Sequence, residues 1–230
     1  MDATSLTDMK INCLGDSITW GDDGTGAGGP AISWTSHIAA LTGAAEVRNY
    51  GVKGSRIALK ADRSDSFVER CDAMDFDADV IVVFGGVNDF SRNVPLGTAG
   101  TAGDVDPATF YGALDMLIRG LTAHVPQVRL VFMTPCKTCG IPAKDIPGSF
   151  EPNHLGLTQA AYVQAMREVC DHYPVPVIDL YASSGVSPYL PEHRTLYMPD
   201  GLHYSPAGYE LLARRIAAGL PNWGQVQIRR

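Results

Sequence analysis

Five short apolar segments recur along the chain, at residues 10–14, 46–50, 80–84, 129–133 and 175–180. The third, Val80-Ile81-Val82-Val83-Phe84, is apolar at every position, the pattern of a strand buried on both faces. Between these segments the spacing turns helical. Phe110, Leu114, Leu117, Ile118 and Leu121 fall on one helical face, and Asp106-Pro107 ahead of them predicts an N-cap followed by a first-turn proline. Ser205-Pro206 predicts the same start for a last helix with Tyr209, Leu212, Ile216 and Leu220 along one side. Residues 31–41 and 158–173 also read as helices.

Alternation of strand and helix predicts a mostly parallel sheet, because parallel strands need long, right-handed crossovers. The expected fold class is α/β, a flavodoxin-like three-layer α/β/α sandwich around a five-stranded parallel sheet. With 230 residues, 45% of them hydrophobic and 19% charged, the chain can bury a full core, and a single domain over 1–230 is expected. Ligands of such sheets bind beyond the carboxyl ends of the strands. That rule directs attention to the residues after Leu14, Tyr50 and Phe84 and to the stretch after Leu180. Residues 91–105, rich in Gly and Thr, and 135–156 are long for bare connections and are expected to be binding loops.

Charge narrows the partners. The 25 acidic residues outnumber 18 basic ones, and adjacent basic residues are confined to Arg214-Arg215 and Arg229-Arg230, so neither nucleic acid nor an anionic membrane is an expected partner. The start of the chain carries Asp2 and Asp8 and no apolar stretch, unlike a signal peptide, and no apolar run is long enough to span a bilayer. Five scattered cysteines do not make a disulfide framework. A cytoplasmic location is expected.

Each place marked by the sheet rule holds a residue that acyl transfer can use. Gly15-Asp16-Ser17 follows the first strand and presents a serine hydroxyl, with its backbone N–H near a helix start. Gly54 follows the second strand, where a glycine lets backbone approach a ligand. Gly86-Val87-Asn88-Asp89 follows the third and offers the Asn88 amide. Asp200-Gly201-Leu202-His203 stands just before the last helix. A serine hydroxyl is a weak nucleophile until a base takes its proton, and an acid three residues before a histidine can fix the ring tautomer. Taken singly, each has a plainer reading, Ser17 as a helix cap and Asn88 or Gly54 as turn residues. Asp16 and Asp89 read as turn formers.

In this order the four blocks resemble those of the SGNH hydrolases, the GDSL esterase/lipase family, and their span from Gly15 to His203 covers most of the chain. Ile18 stands where the family name has Leu. The resemblance implies a flavodoxin-like fold and ester hydrolysis without metal or cofactor. It implies Ser17 as nucleophile, His203 as base and Asp200 as its partner, with Ser17, Gly54 and Asn88 as oxyanion donors. The implied partner is a small-molecule ester.

Other motifs compete less well. Gly24-Thr25-Gly26-Ala27-Gly28-Gly29 fits a dinucleotide fingerprint in letters, yet it begins well beyond the first strand, meets Pro30, and follows two aspartates that repel pyrophosphate. An α/β-hydrolase elbow would need glycine where Thr19 stands. Cys136-Lys137-Thr138-Cys139 has zinc or redox spacing but lacks a second ligand pair and a following helix. The substrate expected is a short-acyl, acetyl-type ester, with a carbohydrate as the alcohol. Phe90 and Arg92 are expected to line its site, and Trp20, Trp34, Tyr181, Tyr189 and Tyr197 could offer stacking faces. A lipid-directed esterase or thioesterase and a non-catalytic carbohydrate-binding relative are the alternatives.

Overall fold

The computed structural model describes residues 6–99 and 105–220. Strands β1 (Lys10–Gly15), β2 (Glu46–Gly51), β3 (Val80–Phe84), β4 (Arg129–Met133) and β5 (Val177–Ile178) form one all-parallel sheet in the order β2-β1-β3-β4-β5. Around it lie α1 (Ser17–Trp20), α2 (Thr35–Thr42), α3 (Phe67–Arg70), α4 (Val87–Ser91), α5 (Phe110–His124), α6 (Gln159–His172), α7 (Leu180–Ser183), α8 (Pro191–Tyr197) and α9 (Pro206–Gly219).

Successive strand residues point to opposite faces, and the core divides accordingly. Val80, Val82 and Phe84 join Ile11, Cys13, Val131 and Met133 beneath α2 and α9, where Trp34, Ile38, Tyr209, Leu212 and Ile216 are buried. Ile81 and Val83 face the other way, with Leu14, Leu130 and Phe132, against Phe67, Phe110, Leu114, Leu117, Tyr162 and Met166. Two apolar layers separated by one sheet make the three-layer α/β sandwich that the alternation predicts.

Four expected strands appear with their bounds shifted by at most a residue, but the segment 175–180 keeps only Val177–Ile178 in the ladder. Pro176 has no N–H to give and contributes only its carbonyl, which accepts from Phe132 N–H at 3.0 Å. Asp179 then leaves the strand to cap α7, its side chain accepting from Ala182 N–H. Helix starts moved as well. α5 begins at Phe110 with Thr109 as its N-cap, because Asp106 spends its carboxylate on Ala108 N–H one turn earlier. α2 starts at Thr35 rather than at 31, whereas Ser205 caps α9 as its sequence predicts, accepting from Gly208 N–H at 3.1 Å.

The long 135–156 connection contains a 3-10 turn at Pro142–Lys144, closed by a two-residue bridge between Ile141 and Ile146. Residues 100–104 of the other long loop, the Asp2 end of the chain and Arg229-Arg230 lie outside the described residues. Among the described residues no helix is long and apolar enough to cross a membrane.

Candidate active site

Strand order reverses at β1, flanked by β2 on one side and β3 on the other, and the carboxyl ends of these three strands open onto one rim. β1 ends at Gly15, and Asp16 caps the single turn of α1 by accepting from Ile18 N–H at 2.9 Å. Ser17, the first residue of that turn, is 6% exposed. Its Oγ lies 3.0 Å from Nε2 of His203. On the far side of the ring, His203 Nδ1 lies 2.7 Å from Asp200 Oδ2. The Ser17 hydroxyl can therefore donate to Nε2 while Nδ1–H donates to the carboxylate.

The Asp200–His203 turn folds on itself. Asp200 Oδ1 accepts from Leu202 N–H at 2.9 Å and from His203 N–H at 2.7 Å. Burial pushes this carboxyl up, but the His203 ring N–H, the charge of that ring and the two backbone donors outweigh it and hold it at about 2. Two glycines let the chain press on the turn. Gly24, at φ +77°, lies where a Cβ would come within 2.6 Å of Asp200 Oδ2, and a Cβ on Gly201, at φ +83°, would meet Cys139 Sγ at 2.2 Å. Gly24, at the start of the glycine-rich segment after α1, thus lies against Asp200. Asp23 closes that segment locally, accepting from Thr25 N–H at 2.9 Å.

Gly54 and Asn88 stand on the loops that the sequence indicated. Gly54 has φ +76° in a turn closed by Ser55 N–H to the Val52 carbonyl at 3.1 Å. Asn88, in the first turn of α4, directs its amide at the Ser55 carbonyl, 3.0 Å away, and at Asp16 Oδ2, 3.4 Å away. Asp16 is thereby the hinge between the serine turn and the Asn88 turn. Burial pushes its carboxyl up to about 7, against the opposing pull of Ile18 N–H and His203. Asp89 is buried too and pushed up to about 6, while accepting from Ile57 and Ala58 N–H, both at 3.0 Å. Both aspartates act as the loop formers their sequence predicts.

Other expected residues fall elsewhere. Phe90 is fully buried in the core, its ring set edge-on to Tyr162, because the helical turn of α4 rotates it inward; it is not open to a substrate. Trp34 is likewise buried, against Phe84. Arg92 is exposed and donates to the Lys144 carbonyl at 3.3 Å, joining the end of α4 to the 135–156 loop. Cys136 and Cys139 part company. Cys136 is buried in the core, its thiol pushed up to about 12, whereas Cys139 lies under Gly201. The Thr138 hydroxyl and Cys139 N–H both donate to the Gly201 carbonyl, at 3.0 and 3.1 Å, so this motif buttresses the histidine turn.

Sequence reasoning passed over three residues that shape the site. Arg70 donates to the Tyr50 carbonyl at 2.6 Å and also to the Gly15 carbonyl, pinning the ends of β2 and β1. Asp22 places Oδ2 3.9 Å from His203 Nε2 and 2.7 Å from Lys53 Nζ. Adjacent strands bring their following loops together, so Asp22 after β1 and Lys53 after β2 become neighbours only once the strand order is known. Five surface cavities of about 480, 530, 390, 280 and 500 Å³ lie elsewhere, and none is lined by Ser17, Asn88, Asp200 or His203. Val87 and Leu202, each one residue before Asn88 and His203, instead form a small apolar cluster with Ile146.

Comparison with known proteins bears on the family. No curated protein matches the chain significantly. Among solved structures, one with 71% identity has a TM-score of 0.91 and covers 94% of this chain and 97% of its own. A protein from Lactobacillus plantarum is 33% identical, with TM-score 0.79 and coverage of 92% and 95%. The lipase/acylhydrolase from Enterococcus faecalis is 25% identical, with TM-score 0.63 and coverage of 91% and 93%. Residues 13–211, from within β1 into α9, match the model of the GDSL-like lipase/acylhydrolase family. The chain belongs to that family and is by class an ester hydrolase.

Proposed function

We propose that the protein hydrolyses short-acyl, acetyl-type esters of carbohydrates through an acyl-enzyme on Ser17. The observation that carries this reading is the continuous path from Ser17 Oγ through both nitrogens of His203 to Asp200, at 3.0 and 2.7 Å. His203 Nε2 takes the hydroxyl proton as Oγ attacks the ester carbonyl carbon. Asp200 keeps the ring oriented and steadies its positive charge. Ser17 N–H, Gly54 N–H and the Asn88 amide receive the oxyanion, with Asn88 turning from the Ser55 carbonyl towards it. Collapse expels the alcohol, which takes the proton from Nε2. Water, deprotonated in turn by His203, then attacks the acyl carbonyl and frees the acid.

A short acyl group fits a site flanked by Val87 and Leu202, which belong to a small apolar cluster with Ile146 and the partly buried Ile141. Each methylene gains about 0.8 kcal/mol only where it is buried, and a long chain would need a deeper slot. The non-catalytic reading loses support because serine and histidine are within hydrogen-bond reach. One feature favours the lipid-directed alternative. Phe150, Tyr189 and Leu190, exposed by 64%, 43% and 48%, line a cavity of about 500 Å³, and the Tyr189 hydroxyl bonds the carbonyl of Thr138. Five free cysteines suit a reducing compartment such as the cytoplasm.

Ser17→Ala is expected to abolish turnover of p-nitrophenyl acetate while leaving the thermal midpoint within about a degree or two, since a small hydroxyl at the rim packs little. Near-normal activity of the purified variant would remove Ser17 from the mechanism. In the native enzyme, kcat/KM should fall from acetate or butyrate to octanoate, and a steady rise would promote the lipid reading.

A further inference from the structure

We infer that Asp22 and Lys53 form the subsite for the alcohol half of the ester, and that this pair selects esters of neutral polyhydroxy alcohols such as sugars. The inference rests on the esterase reading above and gives it residues on the leaving-group side. Nε2 of His203 must deliver its proton to the departing oxygen, which therefore comes within about 3 Å of that nitrogen. Asp22 Oδ2 already lies 3.9 Å from Nε2. The carbon bearing the leaving oxygen, with its substituents, consequently arrives beside Asp22.

Asp22 is held firmly there. Its N–H donates to the Ser17 carbonyl at 2.9 Å, its carbonyl accepts from the Tyr209 hydroxyl at 2.7 Å, and Oδ1 accepts from Gly24 N–H at 3.0 Å. Lys53, one residue before Gly54, reaches over the ring of Trp20, 4.8 Å from its centroid, to bond Oδ2. The Asp22 side chain is 9% exposed and that of Lys53 is 44% exposed. The ammonium has three donors and Asp22 takes one, and the half-exposed lysine side chain can offer another to a ligand.

An acceptor and a donor 2.7 Å apart match two neighbouring hydroxyls of a polyol, each of which both gives and takes a hydrogen bond. Charge excludes the main rival ligands. Asp22 and Asp200 both stand beside the histidine ring, and Lys53 offsets only one of them, so a carboxylate-bearing alcohol is repelled. For a lipid alcohol a large apolar face on this side is the Trp20 ring, and Lys53 covers it.

The test compares two acetates of similar bulk, methyl glucoside 6-acetate and cyclohexylmethyl acetate, with p-nitrophenyl acetate as the check on esterase activity. The native protein should prefer the sugar ester. Asp22→Asn and Lys53→Met should each cut the ratio of kcat/KM for sugar ester over cyclohexylmethyl ester about tenfold or more. Equal proportional losses on both esters would overturn the subsite. If those losses came with a displaced acid limb of the pH profile, the pair would belong to the electrostatics of His203. If the limb stayed in place, the pair would be a clamp between two loops. Turnover of p-nitrophenyl acetate without any sugar preference would sink the subsite alone, whereas no turnover of any of the three would sink the esterase reading with it.

Discussion

Two turns, each pairing an aspartate with a residue of the proposed machinery, meet at the rim of the sheet and hold their carboxyls in opposite states. In the turn after β1, Asp16 is buried and pushed up to about 7. In the turn before α9, Asp200 is partly buried and held at about 2. The difference lies in depth of burial and in donors. Asp200 receives a ring N–H and two backbone N–H groups at 2.7–2.9 Å, while Asp16 receives Ile18 N–H and an Asn88 amide 3.4 Å away that is shared with Ser55. Burial raises both, more for the fully buried Asp16 than for the partly buried Asp200, and the additional close donors keep Asp200 charged. The charged turn serves the base, and the more neutral turn serves as a joint between loops.

Removing the charge from the second turn would break the comparison most severely. Asp200→Asn leaves a carbonyl and an amide in place of the carboxylate, so the ring loses its fixed tautomer, and kcat should fall by ~10³–10⁴. Single-turnover kinetics on p-nitrophenyl acetate would check this. A loss of less than tenfold would mean that His203 is oriented by other groups. Asn88→Ala, at the end of the joint, should lower kcat by ~10²–10³ with KM little changed, because an oxyanion contact strengthens as charge develops. A raised KM alone would assign the amide to substrate binding.

Asp16→Asn sharpens the contrast through stability. Between its ordinary value near 4 and the folded value of about 7, Asp16 keeps in the folded protein a proton that it has lost in the unfolded chain. Its contribution is therefore full below pH ~4 and is lost as pH rises through 7, a span worth up to about 4 kcal/mol. Asp200 has the reverse sign, its contribution being present above pH ~4 and lost towards pH ~2. Urea unfolding of the Asp16→Asn variant should show a flatter stability profile from roughly pH 4 to 8 than the native protein. Parallel profiles would mean that Asp16 does not hold its proton. The smallest effect is expected from Gly24→Ala, which puts a methyl group against Asp200 at a positive φ. About a tenfold drop in kcat/KM, with a stability loss of about 1–3 kcal/mol, would show that this contact fixes the acid.

The positions of the candidate residues were legible in the sequence, though not the opposite states of their carboxyls, and the reason is local. Ser17, Asn88, Asp200 and His203 each sit within a few residues of a strand end or a helix cap, and an apolar run such as Val80–Phe84 announces its strand unaided. What stayed hidden depended on partners distant in sequence. Phe90 looked available because it follows Asn88, but the helical turn sends it into the core beside Tyr162. The glycines at 24–29 matched a phosphate cradle in letters because residue types cannot reveal that Asp200 lies against Gly24. Asp106 lost its helix to Thr109 since both are good caps and only packing chooses between them. Asp22 and Lys53 needed the order of the sheet.

The span of 186 residues between Ser17 and its histidine also sets a schedule for the nascent chain. Translation delivers β1 and the serine turn first, and β2, β3 and β4 can assemble beside them as they leave the ribosome. Throughout that interval the Ser17 hydroxyl has no base and is chemically inert. Activation waits for α9, whose Tyr209, Leu212 and Ile216 pack against the same layer as Trp34 and Ile38 of the first crossover. Packing of α9 on this layer brings His203 to the serine, so the hydroxyl gains its base only once a residue 186 positions later has been made.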